Sequence, residues 1–305
     1  MIATSAVVLG VDLGKTACRV RLETYGDVTE RRGDGFPGLH ALSGPDAAVA
    51  AIASVLDGFD STRLQELSVI GIGAAGADAA PDAAYATASM VRERWAADVV
   101  IGSDVLTAHL GALDGAAGTI LIAGTGAVAY RIGDDETRSR VDGWGPWLGD
   151  EGSGRWIGQA GLSAVVRATD GRGAATALAE DARSEFGGPG DLARAIGADA
   201  ESPRRLAAFA PSVLNAAGNG DAVARRIVDE AIRHLVDSAA AVATEGEEVA
   251  LLGGLVEHSG FRSDLAASLA ARGLTPRSPA GSALDGATAL ADHRAPLHER
   301  YAIRV

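Results

Sequence analysis

The residues with the clearest chemical potential lie between 118 and 156, GTILIAGTGAVAYRIGDDETRSRVDGWGPWLGDEGSGRW. Gly124-Thr125-Gly126 offers backbone N–H groups and a hydroxyl at a tight turn, equipment for phosphate oxygens or a hydroxylated ligand. Gly149-Asp150-Glu151-Gly152-Ser153 then carries two acids to the start of a helix, where Asp and Ser also serve as ordinary caps. A second phosphate-friendly turn is Asp12-Leu13-Gly14-Lys15-Thr16, and Lys15 is the only lysine among 27 basic residues. Asp104 closes an apolar run, a position where ligands collect in α/β sheets. A carboxylate there can accept a proton from a substrate hydroxyl, or cap the helix that starts at Val105. Gly253-Gly254 would let the backbone approach a flat ligand such as adenine, or turn a strand into a helix.

Two commoner motifs fit poorly. A P-loop needs glycine where Leu9 stands, and Gly14-Lys15-Thr16 leads into a strand, not a helix. Gly71-Ile72-Gly73-Ala74-Ala75-Gly76 matches the dinucleotide fingerprint, but no acid ends a second strand at the right distance. Tight strand-to-loop packing is the better reading of those glycines.

The elements that must position these groups follow from periodicity. Residues 6–11 read as a buried strand, and 17–23 alternate as its returning partner. Residues 33–45 read as a loop, after which Asp46 caps a helix to Leu56. Strands at 67–73 and 98–102 alternate with helices at 82–96 and 105–113, an α/β layout. Residues 119–123 and 127–132 form a second hairpin. Helices are expected at 155–168, 174–186, 203–217 and 222–244, then a strand at 248–252 and helices at 261–272 and 283–292. Two hairpins, each opening an α/β stretch, suggest two related halves.

Composition bounds the rest. A chain of 305 residues, 47% hydrophobic and 22% charged, can build two domains with real cores. Only 4% is aromatic, so those cores must be Ala, Val, Leu and Ile. The net charge of −13 provides no basic footprint for nucleic acid. One cysteine, Cys18, permits neither a disulfide nor a cysteine-ligated cluster within one chain. The first residues lack a basic n-region, and no apolar run reaches the roughly 20 residues of a membrane span. A cytoplasmic protein without a membrane partner is expected.

In order along the chain, Asp-x-Gly-x-Thr, a strand-end Asp, Gly-Thr-Gly and Gly-Gly resemble the actin/Hsp70/sugar-kinase superfamily. More narrowly, Gly124-Thr125-Gly126 and Gly143-Trp144-Gly145 followed by Gly149-Asp150-Glu151-Gly152-Ser153 resemble the N-acetylglucosamine kinase branch of the BadF/BadG/BcrA/BcrD ATPase family. The resemblance implies two ribonuclease-H-like α/β domains, 1–112 plus 286–305 and 113–285, with an interdomain active-site cleft. It implies that Asp12, Gly14, Lys15 and Thr16 form one phosphate loop, with Asp12 orienting Mg²⁺ through water, and that Asp104 is the catalytic base and also faces the metal. Gly124, Thr125 and Gly126 would form the other phosphate loop, with Thr125 near the sugar. Trp144, Gly145 and Asp150 would hold sugar hydroxyls, and Gly253 and Gly254 would lie beneath adenosine.

The implied activity is ATP- and Mg²⁺-dependent phosphorylation of the 6-hydroxyl of glucosamine or N-acetylglucosamine, by a homodimer. The resemblance implies a sugar-facing loop after the first hairpin, which commonly carries an asparagine in that family. Here residues 33–38 have none, and the only asparagines are Asn215 and Asn219. With Asp34 in that loop, a free amine is favoured over an acetamide. The rivals are an N-acetylglucosamine-specific kinase, a dehydratase-activating ATPase that needs a cysteine-held cluster, and a non-catalytic sugar sensor.

Overall fold

A run of Val and Leu, buried along nearly its whole length, makes Val7–Leu13 a strand that must pair on both sides. It opens a computed structural model that describes residues 7–24, 26–197, 202–292 and 295–305. Ala6, the expected first residue of the strand, lies outside the described residues. The strands in chain order are β1 (Val7–Leu13), β2 (Ala17–Thr24), β3 (Asp27–Asp34), β4 (Leu67–Ala74), β5 (Asp98–Ser103), β6 (Gly118–Ala123), β7 (Ala127–Ile132), β8 (Arg138–Asp142), β9 (Glu248–Leu252), β10 (Thr275–Arg277) and β11 (Ile303–Arg304).

The chain divides into two compact units, one from Met1–Ala117 and Pro279–Val305, the other from Gly118–Ser278. The first holds a sheet of order β3-β2-β1-β4-β5-β11, the second a sheet of order β8-β7-β6-β9-β10. Each begins with an antiparallel meander and continues with parallel pairs, β1 with β4 and β4 with β5, β6 with β9 and β9 with β10. The two hairpins therefore open sheets that share a five-strand topology, to which β11 adds an antiparallel edge in the first. Each unit has its own core, built mostly from Ala, Val, Leu and Ile.

In the first unit the returning helix Ala283–Ala291 crosses the sheet at two glycines. A Cβ on Gly10 would lie 2.2 Å from Thr288 Oγ1, and one on Gly71 would lie 2.0 Å from the Ala287 carbonyl oxygen. Gly73 likewise makes room for Thr107. The Gly71–Gly76 pattern thus serves packing, as its sequence context indicates. Farther on, His298 Nε2 meets His109 Nδ1 at 2.8 Å with both rings buried. Burial and the neighbouring His109 ring push His298 down to about 3, so it is neutral at physiological pH.

Several boundaries differ from the sequence expectation, each for a local reason. Gly33 and Asp34 are not loop but the last residues of β3, a nearly all-exposed edge strand paired to β2. The helix Gly44–Leu56 is capped at Ser43, with Asp46 inside its first turn. The helix Leu178–Phe186 starts late because the Asp221 carboxylate takes the Ala177 N–H and the Thr176 hydroxyl. The helix expected at 203–217 is two, Ser202–Ala208 and Ala210–Gly218, with Pro211 in the first turn of the second. Among the described residues no helix is long and apolar enough to cross a membrane.

Candidate active site

In the first unit, β1 delivers Asp12 to the end of the sheet, two residues before the turn. The three-residue turn Gly14-Lys15-Thr16 closes when the Gly14 N–H donates to the Ala17 carbonyl at 3.0 Å. Lys15 is exposed on it and Thr16 half-buried. The hairpin register puts Arg19 opposite Asp12, with Nη1 3.7 Å from Oδ2. Burial, and then the like charge of Asp104, push the Asp12 carboxyl up to about 6 against the pull of Arg19. Asp12 and Asp104 therefore share one electrostatic neighbourhood.

Asp104 is the first residue of the helix Asp104–Leu113. It is not the cap: Ser103 Oγ accepts the Leu106 N–H at 3.2 Å and does that work. Asp104 Oδ1 accepts the Val105 N–H at 3.0 Å, and the side chain is half-buried at the strand's carboxyl end. Asp34 ends β3 opposite Ala17 and is exposed. The next residue is pressed onto the turn, since a Cβ on Gly35 would lie 2.5 Å from the Gly14 carbonyl oxygen. Asp12, Asp104, the Gly14–Thr16 turn and Asp34 thus gather at one end of this sheet.

In the second unit the turn Gly124-Thr125-Gly126 closes through the Gly124 N–H and the Gly126 carbonyl, 2.9 Å apart. Thr125 is exposed. The helix Gly154–Thr169 starts against this turn: the Gly154 N–H donates to Gly124 O at 2.7 Å and the Arg155 N–H to Thr125 O at 3.2 Å. Asp150 leans on the same turn, where a Cβ on Gly126 would lie 3.1 Å from its Oδ2. Gly253, at φ +100°, packs on the turn's other side, and a Cβ there would lie 2.4 Å from the Ala123 carbonyl oxygen. Gly254 follows it, exposed. The Gly-Thr-Gly turn, Asp150 and the Gly-Gly pair thus come together.

Trp144 stands 75% exposed, in the company of Trp147 and Leu148. Gly145, at φ +86°, accepts the Gly149 N–H on its carbonyl at 3.0 Å and so returns the chain to the acidic loop.

Three contributors escape a reading of the sequence. Arg19 looks like the wet side of an alternating strand; only the three-residue turn, counted through the register, places it across from Asp12. Asp142 and Arg155 bind the backbone of the loop that carries Asp150.

Asp12 and Asp104 are hard oxygen donors in a partly desolvated setting. That donor set suits Mg²⁺, which takes one or two carboxylates together with water and phosphate oxygens. The two glycine turns suit phosphate groups.

Residues 9–287 match the profile of the BadF/BadG/BcrA/BcrD ATPase family. An N-acetylmuramic acid/N-acetylglucosamine kinase of Clostridium acetobutylicum is 32% identical over 181 residues, 59% of this chain and 59% of that protein. An N-acetyl-D-glucosamine kinase of Dictyostelium discoideum is 30% identical over 158 residues, 48% of this chain and 50% of that protein. The matches therefore span 59% and 50% of these relatives' own lengths. A structure from Chromobacterium violaceum, provisionally assigned as an N-acetylglucosamine kinase, superposes with a TM-score of 0.76 at 25% identity, covering 93% of this chain and 98% of that one. A ROK family glucokinase from Streptomyces griseus, solved with glucose and AMPPNP, superposes with a TM-score of 0.58 at 19% identity, over 94% of this chain and all of the other (100%). The fold is that of the actin/Hsp70/sugar-kinase superfamily.

Proposed function

The chain belongs to the BadF/BadG/BcrA/BcrD ATPase family, and on that premise we propose that it is an ATP-dependent amino-sugar kinase acting on the 6-hydroxyl of glucosamine or N-acetylglucosamine. One observation carries the reading: two carboxylates, Asp12 and Asp104, coupled at the strand ends beside a glycine turn. Phosphoryl transfer asks mainly for positioning and charge neutralisation, and little covalent chemistry from the protein. Asp104 accepts the proton of the attacking hydroxyl. Asp12, with Asp104 beside it, would hold Mg²⁺, which would supply neutralisation of phosphate charge. The turns Gly14-Lys15-Thr16 and Gly124-Thr125-Gly126 bind phosphate oxygens, Lys15 adding a positive charge. Trp144, Gly145, Asp150, Asp34 and Thr125 hold the sugar, and Gly253 and Gly254 lie beneath adenosine. The protein works in the cytoplasm as a homodimer.

The dehydratase-activating alternative finds little support. Cys18 is fully buried between β-strand neighbours, and burial followed by the Asp12 charge pushes its thiol up to about 12. A thiol so placed is a poor cluster ligand.

Within amino sugars, free glucosamine is the preferred substrate. The end of β3 and the segment after it bring Asp34 and no asparagine to the first turn, and a carboxylate suits an ammonium better than an acetamide oxygen. The relatives named for N-acetylglucosamine favour the acetylated sugar as the second reading. ADP release measured with a panel of hexoses and hexosamines tests both levels. Turnover confined to hexosamines is expected, with the higher kcat/KM for glucosamine. Equal values, or a preference for the acetylated sugar, would overturn the specificity; no sugar-dependent ADP release at all would overturn the kinase.

A further inference from the structure

The loop that presents Asp150 has an expensive backbone. Asp142 and Asp150, both with side chains, sit at φ +62° and +56°, and Gly143, Gly145 and Gly152 are also left-handed. Left-handed residues other than glycine persist only where surrounding contacts over-determine them. Here the contacts converge on one side chain. Asp142 Oδ1 accepts the Asp150 N–H at 2.7 Å, and Oδ2 accepts the Glu151 N–H at 2.8 Å.

The carboxylate reaches those two N–H groups because Gly149 leaves the space. A Cβ on Gly149 would lie 2.3 Å from Asp142 Oδ1. Arg140 fixes the other end of the clamp, donating from Nε to the Asp142 carbonyl at 3.2 Å and from Nη2 to the Gly143 carbonyl. Arg155, itself only 6% exposed, donates to the Gly149 carbonyl at 2.7 Å and to Gln159 Oε1 at 2.6 Å. The loop is therefore held through its backbone on both sides of Asp150, while the Asp150 carboxyl rests on the Gly124–Gly126 turn.

We propose that Asp142 is a positioning residue for sugar recognition, acting by clamping the backbone of Asp150 and Glu151 so that the Asp150 carboxylate is held at the Gly-Thr-Gly turn. The proposal rests on the reading of Asp150 as a sugar-hydroxyl ligand. Both oxygens of Asp142 are used by successive N–H groups, a two-point grip that fixes the direction of the Asp150 side chain as well as its place. The substitution Asp142→Asn would keep one acceptor and turn an NH₂ toward the second N–H. Asp142→Ala would release both.

A double-mutant cycle with Asp142→Ala and Asp150→Ala tests this, read as KM for glucosamine and KM for ATP, with thermal unfolding as a control for folding. Asp142→Ala should raise the sugar KM by about tenfold to a hundredfold, the loss expected for charge-assisted hydrogen bonds, and leave the ATP KM within about twofold. Asp142→Asn should fall between wild type and Ala, and it replaces Ala in the cycle if that variant does not fold. In the Asp150→Ala background, the Asp142 substitution should add nothing further to the sugar KM. Additive effects of the two substitutions, or a sugar KM unchanged by Asp142→Ala while Asp150→Ala raises it, would overturn the clamp alone. If Asp150→Ala leaves the sugar KM unchanged, the ligand reading of Asp150 fails and the clamp's role in recognition falls with it.

Discussion

The two sheets share the order of five strands but not a chemistry. In both, the first two strands are joined by three residues, Gly14-Lys15-Thr16 between β1 and β2 and Gly124-Thr125-Gly126 between β6 and β7. The residue two before each turn is Asp12 in the first and Ile122 in the second. β5 runs into Asp104, while its counterpart β10 is only three residues long and ends at Arg277. The first unit thus concentrates titratable groups around its turn, and the second offers a neutral turn braced by glycines and one clamped carboxylate. One topology supplies the same scaffold twice, and the function comes from what each copy places at the strand ends.

The charged turn should be the more sensitive to loss of a single group. Asp104→Asn should lower kcat by about 10²- to 10⁴-fold, the usual worth of a general base, with sugar binding retained. A variant keeping more than about a tenth of wild-type kcat would remove Asp104 from that role.

Asp12→Asn should separate activity from stability. Turnover should fall by about 10- to 100-fold, as for loss of a group that orients a metal through water. Stability should move the other way. The folded Asp12 carboxyl titrates at about 6 against an ordinary 3.8. A raised carboxyl contributes stability that is fully present below 3.8 and lost as pH rises through 6. At pH 7.5 the buried charge costs up to about 3 kcal/mol, at 1.36 kcal/mol per pKa unit. The Asn variant should therefore have the higher Tm at about pH 7.5, with the gain shrinking toward about pH 4. Thermal melts across that range would contradict the assignment if no gain appears at the alkaline end.

The smallest effect is expected at Lys15. The exposed side chain gives a screened contact with phosphate, so Lys15→Ala should raise the ATP KM by about three- to tenfold and spare the sugar KM. Unchanged nucleotide kinetics would make Lys15 a solvated turn residue and leave the two turns more alike than their sequences.

The central strands were readable from the chain because strands buried on both faces are written as apolar runs, as in Val7–Leu13 and Glu248–Leu252. β3 and β8 were not. Asp27–Asp34 is polar and almost wholly exposed, and it becomes a strand because β2 offers it an unpaired edge. The strand-end acids Asp12 and Asp104 are visible for the same reason as the strands that carry them. Which of Ser103 and Asp104 caps the helix is a one-residue matter that only hydrogen bonding decides. Asp142 has no linear signature: its partners come eight and nine residues later, reached through left-handed backbone that alternation and helical period do not encode.

The first unit is discontinuous, and this sets an order of assembly on the ribosome. Gly118–Ser278 is one unbroken stretch and can complete its sheet and core as soon as it emerges. The earlier residues cannot, because Ala283–Ala291 still has to lie across Gly10 and Gly71, and β11 still has to cover the edge of β5. Until then that nascent sheet keeps an open edge and an uncovered apolar face, the state in which a chain is most exposed to chaperones and to its neighbours. The segment translated later matures first, and the part bearing Asp12 and Asp104 is finished by residues made after it.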